Sequence, residues 1–342
     1  MKKQHSILLT ASLAAVLLIG SLAAAGCGGS DSSTASDGLT KVTLNEVAHS
    51  IFYAPQYVAI EKGYFAEEGI ELDLVTGFGA DKTMTAVLSG EADIGFMGSE
   101  ASIYVYNQNP DDYIVNFAQL TQRAGNFLVA REEMPDFEWE DLKGKDVLGG
   151  RKGGMPQMVF EYILKKNNLD PATDLHIDQS IDFGSTAAAF SGGQGDFTVE
   201  FEPGASTLEK EGKGYVVASL GVDSGYVPYT AYSAKQSYLK AHPEVIQGFT
   251  NALQKGMDYV QSHTPEEIAQ VIAPQFVETD LVDITTIVTR YYEQDTWKDN
   301  LIFEEKSFEL LQDILAEAEE LESRVPYEAL VTTEFAEKAV EK

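Results

Sequence analysis

The side chains best suited to binding chemistry are acids and aromatic rings at the ends of predicted strands. Such side chains recur in five loops: Ser50–Tyr53, Gly77–Asp81, Gly98–Glu100, Gly149–Met155 and Glu200–Glu202. Aromatic faces can sandwich a flat ring, and carboxylates can accept hydrogen bonds from amino groups on that ring. The loops at the strand ends of one domain form a rim, and two such rims that face each other form a cleft. Small ligands bind in clefts between domains. The pattern therefore predicts a binding site for a small solute.

The candidate ligand-binding residues come from these loops and from one later strand. They are Phe52, Tyr53, Phe78, Gly79, Asp81, Ser99, Glu100, Gly153, Gly154, Met155, Glu200, Glu202 and Tyr229. Several have a structural alternative, because Asp81, Glu100 and Glu202 could instead cap helices. Gly153 and Gly154 are expected to leave a helix N-terminus open. Glu200 and Glu202 straddle Phe201, so they share one side of a strand end.

Signatures of catalysis and of metal binding are absent from the sequence. It has no Gly-x-Ser-x-Gly elbow, no Walker loop and no His-Glu-x-x-His pair. The histidines at positions 49, 176, 242 and 263 are far apart and lack the spacing of metal ligands. We therefore predict no catalytic residue, no metal and no cofactor.

Length and charge limit the possible functions further. A chain of 342 residues is long enough for two domains. Its 54 acidic residues outnumber its 24 basic ones, for a net charge of −30. Nucleic acid is excluded as a partner, since binding to phosphates needs a basic patch.

The N-terminus has the pattern of an export signal. Lys2 and Lys3 precede an uncharged, largely apolar run, Ile7–Ala25, and Cys27 is the only cysteine. The pattern resembles a bacterial lipoprotein signal, with Ala24 where leucine is more common. It implies a signal peptide over residues 1–26, lipidation of Cys27 and attachment to the extracytoplasmic face of the cell membrane. A plain secretory signal and an uncleaved anchor are the alternatives. Residues 27–38 are mostly Gly, Ser, Thr and Asp and predict a flexible tether.

Strands and helices alternate over the first part of the chain, which predicts an α/β fold. A second α/β unit follows from residue 122, and the chain beyond Ser233 is nearly all helical. Such a helical tail must pack on an existing domain. We therefore predict a discontinuous domain at 39–121 and 228–342 and a second domain at 122–227. More locally, the sequence predicts a strand over His176–Phe183, helices over Pro243–Ser262 and Glu304–Glu322, and a helix capped by Asp81.

Five segments together resemble one protein family. They are residues 51–74, 79–98, 153–164, 200–219 and 227–232, and the phrase AVLSGEADIGF within the second is the most specific. They are similar to the solute-binding proteins of ABC importers, in the group related to binders of thiamine-pyrimidine precursors, alkanesulfonates and nitrate. The resemblance implies a two-domain clamp of the periplasmic-binding-protein type 2 class. Each domain would be a mixed sheet flanked by helices, with two crossover strands and a helical C-terminal tail. It also implies a monomer that works with an ABC permease and an ATPase.

The ligand is less constrained than the family. Acids and aromatic rings outnumber the rim cations Lys82, Arg123, Arg151 and Lys152, so we favour a planar heteroaromatic solute of the thiamine-precursor pyrimidine type. An alkanesulfonate, another small anion or another aromatic solute is the alternative. A rival of another class is the pyrimidine-synthesis enzyme of a fungal branch. The lack of a domain cysteine and of a matched histidine argues against it. A sensory or adhesive lipoprotein is a third hypothesis.

Overall fold

The computed structural model describes residues 38–108, 111–181 and 183–341. The predicted signal peptide, the lipidation site Cys27 and the tether up to residue 37 lie outside these residues. The described residues belong to one compact unit.

Ten strands occur in the described residues. They are β1 (Thr40–Glu46), β2 (Ile70–Thr76), β3 (Ile94–Gly98), β4 (Ile114–Thr121), β5 (Asn126–Ala130), β6 (Asp146–Leu148), β7 (His176–Asp178), β8 (Phe197–Phe201), β9 (Tyr215–Ser219) and β10 (Thr230–Lys235). The first sheet has the order β2-β1-β3-β10-β4, and the second has the order β7-β6-β8-β5-β9.

Each sheet contains one antiparallel strand. In the first sheet β10 runs antiparallel to β3 and β4, and in the second sheet β5 runs antiparallel to β8 and β9. These are the strands by which the chain enters each sheet from the other one. The chain therefore crosses between the sheets twice, over 122–125 and 220–229. The predicted fold class is confirmed, whereas the domain boundaries at 121/122 and 227/228 stay a prediction.

Helices flank both sheets and make up most of the C-terminal third of the chain. They are α1 (Ala54–Glu61), α2 (Tyr64–Glu67), α3 (Ala80–Ser89), α4 (Glu100–Asn107), α5 (Met155–Lys166), α6 (Phe183–Ser191), α7 (Gly204–Lys210), α8 (Leu220–Ser224), α9 (Gln236–Ala241), α10 (Pro243–Ser262), α11 (Pro265–Ile272), α12 (Leu281–Glu293), α13 (Glu305–Glu317), α14 (Tyr327–Leu330) and α15 (Glu334–Val340). Three short 3₁₀ helices cover Ile51–Tyr53, Trp139–Leu142 and Ala273–Gln275. Within the described part of the chain, no helix has the length and apolar character needed to cross a membrane.

Three local predictions are wrong. The strand β7 ends at Asp178, because the Asp178 carboxylate accepts hydrogen bonds from the N–H and hydroxyl of Ser180 and turns the chain. The helix α13 ends at Glu317, since Glu319 adopts a left-handed backbone angle, φ 59°, that closes the helix. The helix α3 begins at Ala80, so Asp81 lies inside its first turn and does not cap it.

The longest helix, α10, was predicted with its observed bounds and organises the core. Val245, Phe249 and Leu253 lie on its apolar face and are buried. Gly256 lies where α10 packs against α1. A methyl group added there would overlap the carbonyl oxygen of Pro55 and would lie 3.2 Å from the Ala59 Cβ. The close approach of these two helices therefore depends on this glycine.

We expect Gly256→Ala to lower the free energy of unfolding by about 1–3 kcal/mol, because it overpacks a backbone contact. Gly184→Ala is the matched control, since a methyl group at Gly184 in α6 meets nothing within 4 Å. Thermal or urea unfolding of both variants measures the effect. Equal stability of the two variants would contradict this account of the α1–α10 contact.

Candidate ligand-binding site

Glu100 is a buried carboxylate at the point where β3 ends and α4 begins. The side chain of Glu100 is 4% exposed. Its carboxylate folds back over Gly98, where a Cβ would lie 2.5 Å from Oε1 and would overlap Oε2. Only glycine leaves room for the carboxylate at that position.

The same carboxylate meets a helix of the second sheet. The N–H of Met155, the first residue of α5, lies near the Glu100 carboxylate and acts to lower its pKa. Gly154, at the N-cap of α5, supplies no side-chain hydrogen bond. Nearby, the Tyr104 hydroxyl donates to the Gly153 carbonyl over 3.4 Å. The predicted site residues Glu100, Gly153, Gly154 and Met155 are thus brought together, and the N-cap residue of α5 has no side chain that could cap the helix.

Burial dominates the titration of Glu100. It raises the pKa of the Glu100 carboxyl to about 7, although the N–H groups of Glu100 itself and of Met155 act to lower it. Its Oε2 has no hydrogen-bond partner among the residues that the structure describes. Native proteins rarely leave a buried polar atom unpaired, so Oε2 is a candidate acceptor for a ligand.

Asn126 supplies a second buried polar group at the start of β5. Its Oδ1 accepts a 2.7 Å hydrogen bond from the Tyr229 hydroxyl. Its Nδ2 has no partner in the described part of the chain, and the side chain is fully buried. Glu100 and Tyr53 contribute to the raised pKa of Tyr229, behind the main cause, burial, so these groups lie near one another. Asn126 was not identified from the sequence. The signal that could have found it is its amide side chain at the point where the chain enters the second sheet.

Aromatic rings pack against Tyr229, the partner of this amide. The Phe52 ring lies 5.2 Å from Tyr53, 5.7 Å from Tyr229 and 6.1 Å from Phe201, measured between ring centroids. A Cβ at Gly125, in the first crossing segment, would lie 2.7 Å from the Phe52 ring. The predicted site residues Phe52, Tyr53 and Tyr229 therefore share one cluster with rings of the second sheet. All three are buried.

The loop after β2 differs from this cluster. Phe78 is 76% exposed and has a left-handed backbone angle, φ 57°, which is uncommon for a bulky residue. Gly79 also has a positive φ, of 147°, and Asp81 is exposed. Ser99, the remaining predicted residue of this sheet, is buried and donates its hydroxyl to the Pro228 carbonyl. The structure thus places Phe78, Gly79 and Asp81 at the surface.

Glu200 lies on the other face of the second sheet from Asn126. Glu200 pairs with Phe127 and Asn126 pairs with Phe201, and neighbouring residues of a strand point to opposite faces. The Thr198 hydroxyl donates to Glu200 Oε1 over 2.7 Å. Burial raises the pKa of the Glu200 carboxyl to about 7, against the lowering effect of Thr198 and Thr186. The structure does not group Glu200 with Glu100 and Asn126.

Glu202 is engaged within the protein. Its carboxylate accepts 2.9 Å hydrogen bonds from the N–H and the hydroxyl of Ser206, in the first turn of α7. It also forms a 2.6 Å ion pair with Arg290 of α12, and the same guanidinium contacts Glu209. These contacts agree with the alternative stated above, in which Glu202 accepts hydrogen bonds at the N-terminus of a helix, here α7.

Two of the predicted rim cations also have partners. The Arg123 guanidinium lies 4.3 Å from the Tyr226 ring centroid and donates to the Gly221 carbonyl over 3.0 Å. Lys152 lies 3.8 Å from Glu320. The polar groups of the buried cluster are therefore the Glu100 carboxyl, the Asn126 amide and the tyrosine hydroxyls.

Comparison with known proteins gives three kinds of similarity. Residues 51–268 match the family described as "NMT1/THI5 like". The chain is 50% identical over 300 residues to "Putative binding protein YtlA" of Bacillus subtilis (strain 168), covering 88% of this chain and 90% of that protein.

Solved structures share the fold. The alkanesulfonate-binding protein SsuA from Xanthomonas axonopodis pv. citri, bound to MOPS, superposes with a TM-score of 0.68 at 15% identity, over 86% of this chain and 98% of that one. The nitrate-binding protein NrtA from Synechocystis PCC 6803 superposes with a TM-score of 0.71 at 14% identity, over 89% of each chain. At these identities the similarity concerns the fold alone.

The raised pKa of Glu100 predicts a pH-dependent stability. Because the folded-state pKa of about 7 exceeds the ordinary value of 4.5 for a glutamate, the folded protein binds the proton more tightly than the unfolded chain. Stability is therefore lost as the pH rises through 7. We expect Glu100→Gln to gain stability relative to the wild type between about pH 5 and about pH 8, by up to about 3 kcal/mol.

Urea unfolding of both proteins across this pH range measures the difference. Subtracting the two curves removes the contribution of Glu200, which both proteins retain. Glu320→Gln, which removes a partly exposed acid near Gly153, is the control. A difference curve for Glu100→Gln that stays flat would show that Glu100 is not buried in its charged form.

Proposed function

This chain belongs to the NMT1/THI5-like family, and from that membership we propose that it is the solute-binding component of an ABC importer. The resemblance drawn from the five sequence segments is confirmed at the level of this family. We propose further that the bound solute is a small planar heteroaromatic molecule of the thiamine-precursor pyrimidine type. The cleft between the two sheets would capture it, and a permease with its ATPase would receive it unaltered.

One observation carries the choice of ligand: an unpaired acceptor and an unpaired donor are buried near the same tyrosine. Glu100 Oε2 is the acceptor and Asn126 Nδ2 is the donor. An aminopyrimidine presents an exocyclic amino group beside a ring nitrogen, which complements such a pair. The rings of Phe52, Tyr53 and Phe201 supply flat apolar surface for a ring to pack against.

The charges of the site argue against a small anion. A sulfonate or nitrate needs donors such as Arg, Lys or a free helix N-terminus. Here the α5 N-terminus faces the Glu100 carboxylate, and Arg290 is paired with Glu202 and Glu209. The names of the similar structures include sulfonate and nitrate binders, so these ligands remain the second candidates for testing.

Binding without turnover is the proposed mode of action. The relative from Bacillus subtilis carries the name of a binding protein. A buried carboxyl whose pKa lies near 7 can accept a hydrogen bond or share a proton with an aminopyrimidine, and neither step alters the solute. The protein would act as a monomer.

We expect calorimetric titration of the purified chain to detect 4-amino-5-hydroxymethyl-2-methylpyrimidine. Glu100→Ala and Asn126→Ala should each weaken binding about tenfold to a hundredfold, since each leaves a ligand polar group unpaired. Glu320→Gln should leave the affinity unchanged. Heat from sulfonate or nitrate but none from the pyrimidine would refute the proposed ligand class.

We also propose that lipidated Cys27 holds the protein at the extracytoplasmic face of the membrane. In cells fed a labelled fatty acid, Cys27→Ser should lose both the label and recovery in the membrane fraction. Ser33→Ala, a change within the tether, should keep both. Label on the Cys27→Ser protein would exclude this anchor.

A further inference from the structure

We propose that Glu100 is a built-in anion that determines ligand class: its carboxylate takes the place at the α5 N-terminus where an oxyanion would bind. The site then accepts amine-bearing solutes and rejects sulfonates. This inference rests on the proposed function for the location of the site, and it goes beyond that function by naming the residue that excludes the alternative ligands.

The α5 N-terminus has the properties of an anion site. Helix N-termini present free N–H groups and the positive end of the helix dipole. In α5 the second residue is Pro156, which has no N–H, and the N–H of Gly153 donates to Gln157 Oε1 over 2.8 Å. The Met155 N–H is the donor of this helix end that lies near the Glu100 carboxylate.

Gly98 and Tyr104 help to keep the Glu100 carboxylate beside the α5 N-terminus. Gly98 provides the space, since a Cβ at that position would overlap Glu100 Oε2. The hydrogen bond from Tyr104 to the Gly153 carbonyl holds α4 against the loop before α5. Glu100 Oε2 is buried and has no partner among the described residues, so one carboxylate oxygen stays available to a donor on a ligand.

A second anion cannot share this place at low cost. Like charges brought together where water is excluded repel by several kcal/mol. Lys152 does not offset this repulsion, because its side chain is 71% exposed and water and salt screen its charge. An amino group, by contrast, donates a charge-assisted hydrogen bond to the unpaired Glu100 Oε2.

Three tyrosines lie around Glu100, and their hydroxyls do not titrate near neutral pH as Glu100 does. Tyr53 faces it from the 3₁₀ helix after β1, Tyr104 from α4 and Tyr229 from the segment before β10. Burial raises the pKa of all three hydroxyls, so they stay neutral. Lys152, on the loop before α5, lies 3.8 Å from Glu320, which follows α13 and has the opposite charge. Protonation of Glu100 should therefore remove the barrier to an anion.

The test uses ethanesulfonate, which stays fully ionised between about pH 5 and about pH 8. Isothermal titration of the purified full chain compares the wild type, Glu100→Ala, Glu100→Gln and the control Glu320→Gln. At about pH 8 we expect Glu100→Ala to bind ethanesulfonate at least about tenfold more tightly than the wild type. Glu320→Gln, which removes one nearby negative charge, should behave as the wild type.

The wild type supplies a second arm that needs no substitution. Its affinity for ethanesulfonate should rise by at least about tenfold as the pH falls from 8 to 5, and this pH dependence should vanish in Glu100→Gln. Equal ethanesulfonate affinity of wild type and Glu100→Ala, or a wild-type affinity that ignores pH, would overturn the inference. Failure of the wild type to bind the pyrimidine would instead count against the proposed ligand. The sulfonate titrations would still test the role of Glu100.

Discussion

The arrangement of the candidate site depends on one carboxylate that is buried between the two sheets. Desolvation of Glu100 is costly, which its pKa of about 7 reflects, and the Met155 N–H at the α5 N-terminus offsets part of that cost. Several other features follow from this contact. Gly98 must lack a side chain, Gly154 leaves the helix end uncapped, and Tyr104 holds α4 near α5. The Glu100 carboxylate, which follows strand β3 of the first sheet, thus lies at the positive end of the dipole of α5, a helix that flanks the second sheet.

The C-terminal tail packs on the segment where the chain first crosses between the sheets. The Tyr291 hydroxyl donates to the Gly125 carbonyl over 3.1 Å, and Gln294 Nε2 donates to the Ala124 carbonyl over the same distance. Arg290 of the same helix pairs with Glu202 on the second sheet. These bonds satisfy backbone groups that the crossing segment would otherwise leave unpaired, which accounts for a helical tail packed at this place.

Local patterns in the sequence predicted the fold class and the long helix α10, because alternation and helical periodicity reflect burial residue by residue. The sequence also predicted Glu100 and Met155 as site residues but not their contact, which depends on how the two sheets face each other. Glu202 shows the same limit, since its partner Arg290 is 88 residues away. Asn126 has an ordinary sequence context, and burial alone marks it.

The unpaired buried atoms give the strongest link between this structure and binding. Five side-chain atoms in the described residues are buried without a partner, including those of Gln119, Arg123 and Gln247. Glu100 Oε2 and Asn126 Nδ2 differ from these because they come from different sheets, lie near the same tyrosine and are of opposite type. An unpaired buried acceptor or donor costs about 1–3 kcal/mol, so a fold keeps such a pair where a ligand completes it. Under the proposed function, a molecule with its own donor and acceptor would recover that cost by binding between the sheets.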